Sequence, residues 1–250
     1  MAFNSKLNFD IFARDHASPV FNKFGREVDR TGRNMGGVSA GTKKLIGAFA
    51  GLAIISKASM FLKDANTEAR ESQKVNALTA NALKTTGASA WASTKGIGAY
   101  ATALSNKTAV DDEAIQSGAN LLLTFKNVKN AGSGTSAVFN RATAAAVDLS
   151  ASGFGSITGA SKMLGKALND PVKGISALSR AGVTFSDSQK KQIAAMVKAG
   201  DVLGAQKIIL KEVESQVKGS AAAQATAADK LKVSLQNFQE LVRTELLPVL

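Results

Sequence analysis

The 250-residue sequence has no cysteine and a single histidine, His16. Without thiols there is no disulfide framework, no thiolate metal cluster and no cysteine nucleophile. With one imidazole, every catalytic or metal site that needs two histidines is excluded. Rigid and bulky residues are scarce as well, with three prolines, one tryptophan and one tyrosine against abundant alanine. That is the composition of helices with small, shallow faces. The N-terminus lacks a charged segment followed by a continuous apolar stretch, so it does not read as a secretion signal. Zero cysteine agrees with a reducing cytoplasm and with any other compartment.

What the chain has in excess is positive charge. It carries 31 Lys+Arg against 19 Asp+Glu, a formal +12, with a charged fraction of 20% and an apolar fraction of 45%. Those fractions are near globular averages, so the excess does not mark a disordered basic tail. Residues 1–44 hold eight basic and four acidic side chains, 45–130 nine and six, and 131–250 fourteen and nine. This even spread lacks the dense stripe, or the aromatics interleaved with arginine, of a nucleic-acid reader. DNA contact is expected to be nonspecific at most, and an acidic protein surface fits equally well.

The pattern predicts a mainly α fold: an elongated array of helices with a short N-terminal strand, open to coiled-coil or bundle oligomerisation. Residues 1–30 form the first region. There Leu7, Phe9 and Ile11 alternate with polar residues as in a half-buried strand, and Ser18-Pro19 opens a helix with Phe21, Phe24 and Val28 on one stripe. The strand has only Val183-Thr-Phe as an internal candidate partner, so it pairs with another chain, or forms a short hairpin or an apolar arm. Residues 31–41 hold four glycines and read as a flexible joint. Residues 42–86 read as a long helix, apolar at first and strongly polar from Lys63 to Lys74. Region 87–250 is a train of shorter helices over roughly 88–104, 111–125, 136–149, 156–168, 171 onward and 186–199, with a last stretch carrying Leu203, Leu210, Val213 and Val217. The seam Leu231, Leu235, Phe238, Val242 and Leu246 spaces its apolar residues by four, three, four and four, as in an oligomer interface. Because the pattern is still apolar at Leu247-Pro-Val-Leu250, the chain reads as part of a longer protein.

The apolar segment 45–62 is the candidate membrane or helix-packing element, through Leu45, Ile46, Gly47, Phe49, Gly51, Leu52, Ile54 and Ile55. Its uninterrupted part, 45–56, would span about 18 Å as a helix against a hydrocarbon core of about 30 Å. Extending to Leu62 takes Lys57 into the span. Length thus favours a helix packed in protein over one in lipid.

No catalytic constellation emerges. Gly153-Phe-Gly155-Ser-Ile-Thr-Gly159 places its third glycine one residue too far for a dinucleotide fingerprint. Gly159 to Gly165-Lys166 has five intervening residues where a P-loop has four, and Ala167 stands where a magnesium-binding hydroxyl belongs. Asp111-Asp112-Glu113 reads as a helix N-terminus, where carboxylates accept from free amides. The chain is expected to be no enzyme and to need no cofactor or metal.

One block has a family character. Leu164-Gly-Lys-Ala-Leu-Asn-Asp-Pro-Val-Lys-Gly-Ile-Ser-Ala-Leu-Ser-Arg-Ala-Gly-Val-Thr-Phe-Ser, continuing through Gln189-Lys-Lys-Gln-Ile, Gly204-Ala-Gln-Lys-Ile-Ile-Leu-Lys-Glu-Val-Glu and Gln224-Ala-Thr-Ala-Ala-Asp-Lys-Leu-Lys, resembles the core of tail tape measure proteins of long-tailed bacteriophages. The opening Phe9-Asp-Ile-Phe-Ala-Arg-Asp-His-Ala-Ser looks like the N-terminus of such proteins, and residues 164–232 are the most specific part. The resemblance implies a helical virion protein, several copies of which lie in the tail tube lumen and set tube length. It implies assembly in the host cytoplasm with tail assembly chaperones, polymerisation of tail tube protein around the tape, and engagement of tail tip or baseplate proteins. It also implies release ahead of DNA on infection, with host membrane contact in some members. Family members are usually far longer, so the match is to an N-terminal region, and no lytic motif lies in these 250 residues. The rival readings are a membrane-perforating helical protein that aids genome delivery and a basic DNA-binding module.

Overall fold

The computed structural model describes residues 58–129, 137–233 and 236. The chain divides into two compact units, Ser72–Thr226 and Met1–Glu71 with Ala227–Leu250. Nine α-helices are defined among the described residues: α1 (Ala58–Thr86), α2 (Thr94–Thr108), α3 (Asp112–Leu123), α4 (Val138–Ala151), α5 (Ile157–Asn169), α6 (Pro171–Ala181), α7 (Asp187–Lys198), α8 (Val202–Val217) and α9 (Ser220–Gln224). The protein is mainly helical, and no strand occurs among the described residues. In the unit containing both termini, the described residues are helical at 58–71 and 227–233.

The helix ends follow from local chemistry. Ser93, Asp111, Ser156, Asp170, Ser186 and Asp201 each accept a backbone N–H of the first turn of the helix they open. Each cap satisfies an amide that has no intrahelical partner. Ser186 and Gln189 close a full capping box at α7. Ser93 also splits the helix expected over 88–104. The chain makes a 3-10 turn at Ala88–Ala90, and α2 starts only after Ser93 and runs on to Thr108.

Between Ser72 and Thr226 the helices do not string out as an array. They fold back on one another around a main core that includes Leu122, Phe139, Leu149, Leu164, Leu168, Leu178, Ile193, Ile209 and Leu210, beside a smaller cluster of Ala101, Ile115, Val147 and Ala221. The physical reason is that every one of these helices carries an apolar stripe, and joints as short as the single Asp170 between α5 and α6 return the chain onto itself. Helix α5 is the hub, packed against α3, α4, α6 and α8. Small residues make this crowding possible. The Phe125 ring lies over Gly165, and Gly174 of α6 sits on the backbone of Lys166 and Ala167, where any Cβ would overlap the Lys166 carbonyl. Trp91 meets Phe139 edge to face, with centroids 5.4 Å apart.

Val183-Thr-Phe lies in the joint between α6 and α7 and is not a strand. Val183 and Phe185 are buried in the core while Thr184 faces out. The side-chain amide of Gln216 does the work of a strand neighbour there. It accepts from the Thr184 N–H at 3.2 Å and donates to the Thr184 carbonyl at 2.9 Å. Thr184 thus has both backbone groups satisfied by α8. The proposed strand at Leu7, Phe9 and Ile11 lies outside the described residues.

Buried amides tie the remaining elements together. Gln116 of α3 donates to Asn76 Oδ1 at 2.9 Å and Thr79 Oγ1 at 2.7 Å on α1. Gln206 of α8 donates to the carbonyls of Asn127 at 2.7 Å and Leu168 at 2.8 Å. The latter satisfies an otherwise orphaned carbonyl near the C-terminus of α5.

Candidate functional site

The segments singled out as sites by sequence fall largely outside the described residues: Leu45, Ile46, Gly47, Phe49, Gly51, Leu52, Ile54 and Ile55, the strand residues, and Leu235, Phe238, Val242 and Leu246. Leu231 is half-buried in the helical stretch 227–233. No helix of the described residues is long and apolar enough to cross a membrane.

The glycine and acidic motifs take the structural roles expected of them. Gly153 and Gly155 shape the joint between α4 and α5, with φ of 89° and 96°. The P-loop-like run 159–166 is entirely helical, inside α5, so its amides bond one another instead of cradling an anion. The carboxylates of Asp111, Asp112 and Glu113 come within 4.8 Å of one another. Asp111 accepts from the Ala114 N–H at 2.8 Å and Asp112 from the Thr102 hydroxyl at 2.9 Å, as helix-terminal acids do.

The structure instead assembles a cleft of about 210 Å³ where α2, α4, α8 and α9 meet. Leu104, Ala144, Ala145, Val147 and Ala222 form its apolar lining, and Lys107, Arg141, Asp148, Glu214 and Lys218 supply its charges. Arg141 and Asp148 are the only charged residues of α4, seven positions apart and so on one face of a helix otherwise made of small and apolar residues. Arg141 grips Glu214 of α8 with two bonds, Nε to Oε1 at 2.8 Å and Nη2 to Oε2 at 3.0 Å. A planar guanidinium on a carboxylate in this fork is the strongest common ion-pair geometry. Asp148 accepts from the N–H groups of Gly219 and Ala221 at 3.0 and 3.1 Å, fastening the start of α9 to α4.

Tyr100 adds a third layer beside this pair. Its hydroxyl donates to the Asn140 carbonyl at 2.8 Å. Burial, and secondarily the negative charge of Glu214, push its pKa from 10.0 up to about 12. The phenol therefore serves as a fixed donor and not as a titrating group near neutrality.

Both acids of the cleft are thus engaged internally, Glu214 by a cation and Asp148 by backbone amides. Lys107 and Lys218 are exposed and have no carboxylate partner among the described residues. The field at the cleft mouth is accordingly positive. These residues come from four helices spread over more than a hundred positions, from Leu104 to Ala222, so no single spacing motif could reveal them. The one sequence signal is the pair Arg141 and Asp148, isolated charges on a small-residue helix.

The same imbalance holds throughout residues 72–226, which contain seventeen basic and nine acidic side chains. Asp111, Asp170 and Asp201 cap helices, Glu212 accepts hydrogen bonds from the side-chain amides of Gln189 and Gln216, and Asp187 pairs with Lys190. The acids are spent on holding the fold together, and most of the lysines face outward unpaired by carboxylates among the described residues.

Comparison with protein families, with curated proteins and with solved structures finds no match to this chain.

Proposed function

We propose that the chain is the N-terminal region of a tail tape measure protein of a long-tailed bacteriophage, a non-enzymatic scaffold without cofactor or metal. The observation that carries the reading is the sequence block 164–232 and its resemblance to that family. The helical character of the described residues and the outward-facing positive charge of 72–226 support it. In this reading the compact helical unit is one body of an elongated array, preceded by a short strand at Leu7, Phe9 and Ile11. Copies associate through the seam from Leu231 to Leu246 as a bundle or coiled coil.

The scaffold assembles in the host cytoplasm with tail assembly chaperones, lies in the tube lumen of the virion, and meets tail tip or baseplate proteins at one end. Its cations face an acidic wall of tail tube protein, an attraction that is long-ranged and reversible enough for release. On infection it leaves ahead of DNA, with host membrane contact as in some members of that family, while the apolar segment 45–62 suits a helix packed in protein better than one in lipid.

Tail length tests the reading. In-frame removal of 100 helical residues from the gene that encodes this chain should shorten tails by about 150 Å. Electron microscopy of the resulting particles measures this directly. Tails of unchanged length would overturn the ruler role.

A further inference from the structure

We infer that the cleft between α2, α4, α8 and α9, together with the exposed stripe of α8 that runs into it, is a docking surface for an acidic protein segment carrying one apolar anchor side chain. Positions 207, 211, 214 and 218 are spaced by four, three and four along α8 and its C-terminal end, and so share one face over about 16 Å. Lys207, Lys211 and Lys218 are exposed on it. The fourth position is Glu214, whose charge Arg141 neutralises through the two-bond fork. The stripe is therefore uninterrupted in sign, and Lys107 of α2 extends it across the cleft mouth.

The chemistry of the occupant follows from what surrounds it. The cations ask for carboxylates. Between them lies an apolar lining of Leu104, Ala144, Ala145, Val147 and Ala222, which asks for a side chain without charge. At about 210 Å³ the cleft falls below the roughly 300–1,000 Å³ typical of small-molecule pockets and suits a single anchor residue of a protein partner. Nucleic acid fits less well. No aromatic residue lines the cleft, so no stacking platform accompanies the cations there. This inference deepens the scaffold reading and rests on it in taking the partner to be a protein.

The test uses the full 250-residue chain and a fluorescein-labelled peptide Asp-Glu-Leu-Glu-Asp, with binding followed by anisotropy at low salt. Replacing the central leucine by serine in the peptide should weaken binding about 5-fold or more. In the protein, Lys107→Glu and Lys218→Glu should each weaken it about 5-fold or more. The exposed Lys84→Glu, on α1 and outside both the cleft lining and the α8 stripe, should change it less than about 2-fold. Ala222→Phe, which fills the cleft without altering charge, should weaken the leucine peptide and leave the serine peptide unaffected. Thermal melts establish that each variant remains folded. Equal losses at the cleft lysines and at Lys84, indifference to the leucine, or no binding at all would overturn the proposal. Tighter binding of a labelled pentathymidine oligonucleotide with the same lysine dependence would overturn it in favour of nucleic acid. Each of these outcomes is independent of tail length, so failure here and failure of the ruler role are distinguishable.

Discussion

At the residue scale, the most constrained positions are glycines that no turn motif would single out. Gly174 lies in the second half of a two-helix corner whose joint is one residue long, and the atom in its way is a backbone carbonyl. A main-chain obstacle cannot swing aside, so Gly174→Ala should destabilise the fold by about 1–3 kcal/mol. At Gly165 the obstacle is the ring of Phe125, which is only partly buried and has room to move. Gly165→Ala should therefore cost less than Gly174→Ala, and the difference should shrink when Phe125 is also replaced by leucine. Urea unfolding followed by the fluorescence of the single Trp91 measures both. A larger loss at Gly165 would contradict this order.

At the scale of elements, the pairing of α4 with α8 is held by Arg141 and Glu214 and sensed by Tyr100. Because Tyr100 is the only tyrosine, tyrosinate absorbance reports one site without ambiguity. In the native protein it should titrate near pH 12 and in the unfolded chain near the ordinary value of 10.0. The folded state thus holds this proton more tightly. The resulting stabilisation is full below the unfolded pKa and is lost as pH rises from there through the folded value. Glu214→Gln should lower the native pKa only partway, since burial is the larger cause and the acid's charge the smaller. A native titration at the ordinary value would show that the phenol is open to water.

For the whole unit 72–226, charge bookkeeping has a measurable consequence. Its acids are engaged by caps, amides and ion pairs such as those of Glu214 and Asp187, while the cations repel one another across the surface. Salt screens exposed repulsion more than it weakens the partly buried fork. The thermal midpoint should accordingly rise between roughly 0.01 and 0.15 M ionic strength, where the Debye length falls from about 30 to about 8 Å. A midpoint that falls over this range would mean that attractive pairs dominate the surface.

Much of the helical frame is legible in the sequence because helix ends are local events. Ser156, Asp170-Pro171 and Ser186-Asp-Ser-Gln announce the starts of α5, α6 and α7 through hydrogen bonds that reach only three residues. The burial of Ile115, Leu122, Ile193, Leu210, Val213 and Val217 likewise follows from helical periodicity. The extended pattern at Val183-Thr-Phe was also visible, but its partner was not, because a glutamine side chain in α8 supplies it from 32 residues away. The cleft is the clearest case of what sequence leaves open. Tyr100, Lys107, Arg141, Glu214 and Lys218 have no shared spacing and only ordinary residue types. The amino-acid sequence by itself determined helices, caps, apolar stripes, a surplus of cations and the absence of thiol chemistry, all properties of composition or short range. Only the tertiary structure decided which acids are neutralised and which lysines converge, because pairing across 73 residues depends on how the helices fold back around α5.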